Sequence, residues 1–111
     1  MVENMDQKIQ KELDLIKESV LKTVPAEAIY LFGSYPYGMP NEDSDFDIYV
    51  VVPDNADDLT ELYADILELL WKKKSRPLDL LMGRSSVFNR RKNGPTLERV
   101  IAQKGVALYG A

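Results

Sequence analysis

From Asp45 to Val52 the chain alternates strictly: Asp45, Asp47, Tyr49 and Val51 fall on one side, Phe46, Ile48, Val50 and Val52 on the other. Only an extended strand sorts side chains with a period of two, so this stretch predicts a β-strand buried on at least one face. Pro53, which has no N–H to give to a ladder, ends it. The strand opens with two carboxylates on the same face, Asp45 and Asp47. Like charges that close are unfavourable in a core and well suited to a divalent cation. An EF-hand loop starting at Asp43 is excluded, because its sixth position is Ile48 rather than Gly and its twelfth is Asp54 rather than Glu. A solvated acidic edge strand is the competing account of the pair.

The flanking segments predict a small α/β (α+β) domain. Apolar residues at Met5, Ile9, Leu13, Ile16, Val20 and Val24 recur every three or four positions, the mark of an amphipathic helix closed by Pro25. Ala28 to Phe32 predicts a buried strand, and Ser34 to Ser44, with Pro36, Gly38, Pro40 and Asn41, a loop. A second helix follows Pro53, with Asn55 as its expected N-cap and Leu59, Leu62, Tyr63, Ile66, Leu69 and Leu70 as its buried face. Leu78 to Met82 predicts a third strand, Ser85 to Asn89 a helical turn, and Arg90 to Asn93 a basic loop. Pro95 to Lys104 predicts a helix with Leu97, Val100 and Ile101 inward, and Val106 to Tyr109 a last strand. With no repeat or linker in 111 residues, one domain spanning 1–111 is expected.

Composition narrows the chemistry. The 14 Lys and Arg against 18 Asp and Glu leave a net charge of -4, which argues against binding of extended nucleic acid. There is no cysteine and no histidine, so thiolate and imidazole chemistry are both excluded. Acid, hydroxyl, amine and backbone groups must carry any reaction. A charged, polar start and strand-sized apolar runs predict neither a signal peptide nor a membrane span, and a cytoplasmic protein is expected.

Two further features converge on the aspartate pair. Gly33-Ser34 follows a predicted strand, where a small residue lets backbone N–H groups approach an anion; most such pairs are simple turns. Asp79 interrupts the otherwise apolar third strand. If that strand lies beside Asp45 to Val52, three carboxylates meet. Two Mg²⁺ ions about 3.5 to 4 Å apart are the usual means of holding such a set for phosphoryl or nucleotidyl transfer.

Gly33-Ser34, ten intervening residues, Asp45-Phe46-Asp47 and a later Asp79 resemble the signature of the DNA polymerase beta-like nucleotidyltransferase superfamily. The string GSYPYGMPNEDSDFDIYVV and the ending GVALYG are similar to those of the minimal nucleotidyltransferases, so the resemblance spans almost the whole chain. It implies a small mixed sheet with flanking helices and a nucleotide site where Gly33-Ser34 meets the carboxylate strands. Gly33, Ser34 and Ser44 are then the expected nucleotide-binding residues, and Asp45, Asp47 and Asp79 the catalytic and metal-binding ones. Many members carry an arginine in this turn, whereas here Pro36-Tyr37 precedes Gly38 and Met39. Tyr37 brings no positive charge to a phosphate. Arg84, Arg90, Arg91 and Lys92 are the candidate replacements, with a solvated basic loop as the competing account.

The resemblance further implies Mg-dependent transfer of AMP from ATP to a hydroxyl. Minimal nucleotidyltransferases of this type often serve as antitoxins that modify a tyrosine of a HEPN ribonuclease toxin, so a HEPN toxin is the expected partner. The chain has no room for a substrate-binding cap, which a partner or a homo-oligomer is expected to supply. A small-molecule nucleotidyltransferase and a non-catalytic antitoxin of the same fold are the alternatives.

Overall fold

The computed structural model describes residues 7–33, 46–71, 73 and 78–110. Along them run helix α1 (Gln7–Thr23), strands β1 (Ala28–Phe32) and β2 (Phe46–Val52), helix α2 (Leu59–Leu70), strand β3 (Leu78–Arg84), helices α3 (Ser85–Arg91) and α4 (Leu97–Lys104), and strand β4 (Val106–Gly110). The four strands form one mixed sheet in the order β3-β2-β1-β4. β1 is antiparallel to both β2 and β4, while β2 and β3 are parallel. A parallel pair needs a crossover, and α2 provides it.

One sheet face carries the main core. Ile9, Leu13, Ile16 and Val20 of α1 and Leu62, Ile66 and Leu70 of α2 close over Ile29, Leu31, Phe46, Ile48, Val50, Val52 and Leu80. Each such aliphatic side chain removed from water contributes about 1.5–3 kcal/mol before conformational entropy is set against it. The opposite face is covered only in part: Phe88 of α3 and Ile101 of α4 pack on Ala28, Tyr49 and Val51, with Tyr30 and Phe32 alongside.

Several boundaries differ from expectation. The N-cap of α2 is Asp58, whose carboxylate accepts from the N–H groups of Thr60 (2.8 Å) and Glu61 (3.3 Å); Asn55 lies in the preceding turn. The cause is Arg84. Its guanidinium donates to the carbonyls of Asp54, Ala56 and Asp57 and so holds that stretch outside the helix. Tyr63 and Leu69 are 39% exposed, which leaves Leu62, Ile66 and Leu70 as the buried stripe. Ser85 begins a full seven-residue helix rather than a turn, and α3 runs on through Arg91. In α4 only Ile101 is buried; Leu97 and Val100 are each 44% exposed. Among the described residues no helix is long and apolar enough to cross a membrane.

Candidate active site

Strand pairing arranges the partly covered face as a grid. Register partners point the same way, so Asp79, Asp47 and Phe32 of β3, β2 and β1 form one row. Behind it lie Leu81, Tyr49 and Tyr30, and behind them Gly83, Val51 and Ala28. Helices α3 and α4 cover the rear of the grid. The front row, with its two carboxylates, is open: Asp47 is half-buried and Asp79 exposed. The third strand does lie beside the second, and Asp79 stands directly opposite Asp47, about 5 Å away at ordinary strand spacing.

Gly33 follows β1 and reaches the same place. Its φ of +81° lies in the left-handed region that favours glycine, and a Cβ built on it would overlap Asp47 Oδ2. The Asp47 carboxylate therefore occupies the place that a side chain here would take. Hard oxygen donors on adjacent strands are the kind of set that suits Mg²⁺. Among the described residues no cluster of three or more acids close enough for a metal occurs. Ser34, Ser44 and Asp45 lie outside the described residues, as do Pro36 and Tyr37.

Behind the carboxylates stands a buttress that sequence reasoning did not find. The Tyr49 ring packs on Phe88 with centroids 5.3 Å apart, and its hydroxyl donates to Glu98 Oε2 at 3.3 Å. Glu98 in turn pairs with Arg91, Oε1 to Nε 3.0 Å. A side chain at Gly83 would overlap the Tyr49 hydroxyl. The Tyr49 pKa is pushed up to about 12, mainly by burial and further by the charge and hydrogen bond of Glu98. Burial also pushes the Glu98 carboxyl up, but hydrogen bonds from its own backbone, Arg91 and Tyr49 outweigh this and leave it below the ordinary carboxylate value. The available signal was an aromatic residue facing a glycine within paired strands.

Two of the four proposed substitute cations are committed elsewhere. Arg84 is the register partner of Val52, at the far end of β3 from Asp79, and is bonded to the turn before α2. Arg91 is held by Glu98.

A family model described as a nucleotidyltransferase domain matches residues 13–108. No curated protein matches. Among solved structures, a mutant of the MntA-HpeT toxin-antitoxin is 25% identical with a TM-score of 0.55, covering 89% of this chain and 73% of that one. A tri-AMPylated Shewanella oneidensis HEPN toxin in complex with MNT antitoxin is 25% identical with a TM-score of 0.53, covering 92% and 72%. A toxin-antitoxin with AMP-PNP, 24% identical with a TM-score of 0.56 over 89% and 73%, shares the fold. The α+β architecture, a four-stranded mixed sheet with two helices on each face among the described residues, is the one these neighbours share. With its family model spanning nearly all of it, the chain belongs to the nucleotidyltransferase domain family and is similar in fold to the MNT antitoxins.

Proposed function

We propose that this chain, as a single domain over 1–111, transfers AMP from ATP to a hydroxyl of a protein partner, a tyrosine of a HEPN toxin. The observation that carries the proposal is the side-by-side placement of Asp47 and Asp79 on an open sheet face, with Gly33 backed against Asp47. The similarity to an MNT antitoxin complexed with an AMPylated HEPN toxin supports the choice of nucleotide and partner.

The Gly33 N–H and the Ser34 and Ser44 hydroxyls bind the triphosphate. Asp45, Asp47 and Asp79 would hold two Mg²⁺ ions, which when bound supply charge stabilisation on the attacking and departing oxygens. Asp79, on the outer strand, receives the proton of the acceptor hydroxyl. No side chain needs to form a covalent intermediate; the protein contributes placement and electrostatics.

The test is to incubate the protein with its HEPN partner and Mg-ATP and to weigh the partner intact. The expected result is a gain of one or more AMP units that is lost with Asp47→Asn. No gain, or an equal gain with the variant, overturns the proposal.

A further inference from the structure

We infer that the outward face of α2 is a self-association surface, on which a second copy of this chain docks antiparallel, Trp71 of each copy seated against Ala64 of the other. The inference is independent of the transferase reading.

Helix α2 turns Leu62, Ile66 and Leu70 toward the sheet. With about 3.6 residues per turn, the opposite side carries Glu61, Ala64, Asp65, Glu68 and, at the C-cap, Trp71. All five are exposed. Trp71 is 77% exposed, more than any other large hydrophobic side chain among the described residues, and it is the chain's single tryptophan. An indole left in water forgoes the burial that makes tryptophan the strongest anchor in protein interfaces. Beside it lies an open cleft of about 690 Å³, lined by Ala64, Leu67, Glu68, Leu69, Trp71 and Lys73. The single methyl of Ala64 keeps the floor of this cleft low.

The pattern along this face matches itself when the helix is turned end for end. Trp71 stands two helical turns beyond Ala64, about 10 Å along the axis. A two-fold axis midway between Leu67 and Glu68 therefore sets each Trp71 over the Ala64 of the other copy, a large side chain over a small one, as an isologous contact requires. The charges obey the same operation. Glu61 and Asp65 lie toward the start of the face and Lys73 lies past its end, so the axis brings each Lys73 between Glu61 and Asp65 of the other copy. Among the described residues the side chains of Glu61, Asp65 and Lys73 have no ion-pair partner within the chain. A face acidic at one end and basic at the other is complementary to an antiparallel copy of itself. Helix α2 covers the main core, on the side of the sheet away from α3 and α4, so the pairing leaves the open face with Asp47 and Asp79 free in both copies. One helix per copy makes an interface below the roughly 1,200 Å² of lasting complexes, and a dissociation constant on the order of 10 μM is expected.

The test is sedimentation equilibrium of the protein alone from about 1 to 500 μM, with Trp71 emission read on the same samples. The expected result is a monomer–dimer equilibrium in which the emission shifts to the blue as dimer forms. Trp71→Ala raises the dissociation constant by about tenfold or more. Lys73→Glu also raises it, and adding Glu61→Lys and Asp65→Lys to Lys73→Glu restores association, because the reversed charges again meet their opposites. Circular dichroism checks that each variant is folded, as expected for changes at exposed positions. A monomer throughout the range, a dimer unaffected by Trp71→Ala, or emission that does not follow the dimer fraction overturns the inference. A triple variant that associates no better than Lys73→Glu overturns the antiparallel pairing, and burial of Trp71 only on addition of a different protein overturns the choice of a second copy.

Discussion

The α-carbon of Gly33 lies so close to the Asp47 carboxylate that a methyl group on it would overlap Oδ2. The same residue has φ +81°, which costs an L-residue about 1–2 kcal/mol. Gly33→Ala therefore carries two penalties, one to folding and one to the site. Its thermal midpoint should fall by about 4–8 °C per kcal/mol lost for a domain of this size, and AMP transfer should drop by more than the loss of folded protein explains. Calorimetry and transfer measured well below the midpoint separate the two.

Asp79 is exposed on an edge strand, so its loss should damage chemistry without damaging the fold. In Asp79→Asn the unfolding midpoint is expected within about 2 °C of the parent, while transfer falls by roughly a hundredfold or more. Removal of divalent cations with EDTA should abolish transfer in the parent, and added Mg²⁺ should restore it. A variant that retains transfer would remove Asp79 from the reaction.

Tyr49 should titrate well above the ordinary tyrosine value. With its folded pKa pushed up to about 12 from an ordinary 10, the folded state holds this proton more tightly than the unfolded chain. The stabilisation from this group is fully present below pH 10 and is lost as pH rises from about 10 to 12. Absorbance at the tyrosinate band should show a late step in that window that is missing from Tyr49→Phe. In Glu98→Gln the step should move to lower pH, because a negative neighbour is gone.

Arg84 looks from composition like a phosphate-binding cation and is built as a latch. It donates to three carbonyls in the turn before α2, at 3.1, 2.8 and 3.2 Å. Arg84→Ala is expected to cost about 0.5–1.5 kcal/mol in urea unfolding, mostly through the part-buried bond to the Ala56 carbonyl, with no change in KM for ATP. A raised KM at full stability would return Arg84 to the nucleotide.

Legibility from sequence followed the range of the interaction involved. The alternation of Phe46 to Val52 and the apolar spacing of Ile9, Leu13, Ile16 and Val20 are local, and the structure has both as read. The placement of Asp79 beside Asp47 needed only the assumption that two strands pair, which they do in register. Asn55 and Asp58 are both capping residues, and what decides between them is Arg84, distant in the chain. The bond from Tyr49 to Glu98 likewise joins β2 to α4 across the sheet, and no spacing rule reaches that far. Leu97 and Val100 have helical apolar spacing yet stand half-exposed, since periodicity marks a face and does not say what covers it.

The parallel pairing of β2 with β3 bears on how the protein comes to have a site at all. β1 and β2 are consecutive and antiparallel, so Gly33 and Asp47 can meet as soon as the early part of the chain collapses. Asp79 joins them only after α2 has docked and the crossover has closed, a non-local step that comes at a higher entropic cost and is correspondingly slow. A nascent or partly unfolded chain thus has one half of the carboxylate pair in place without the other, and competence for transfer arrives together with the completed fold.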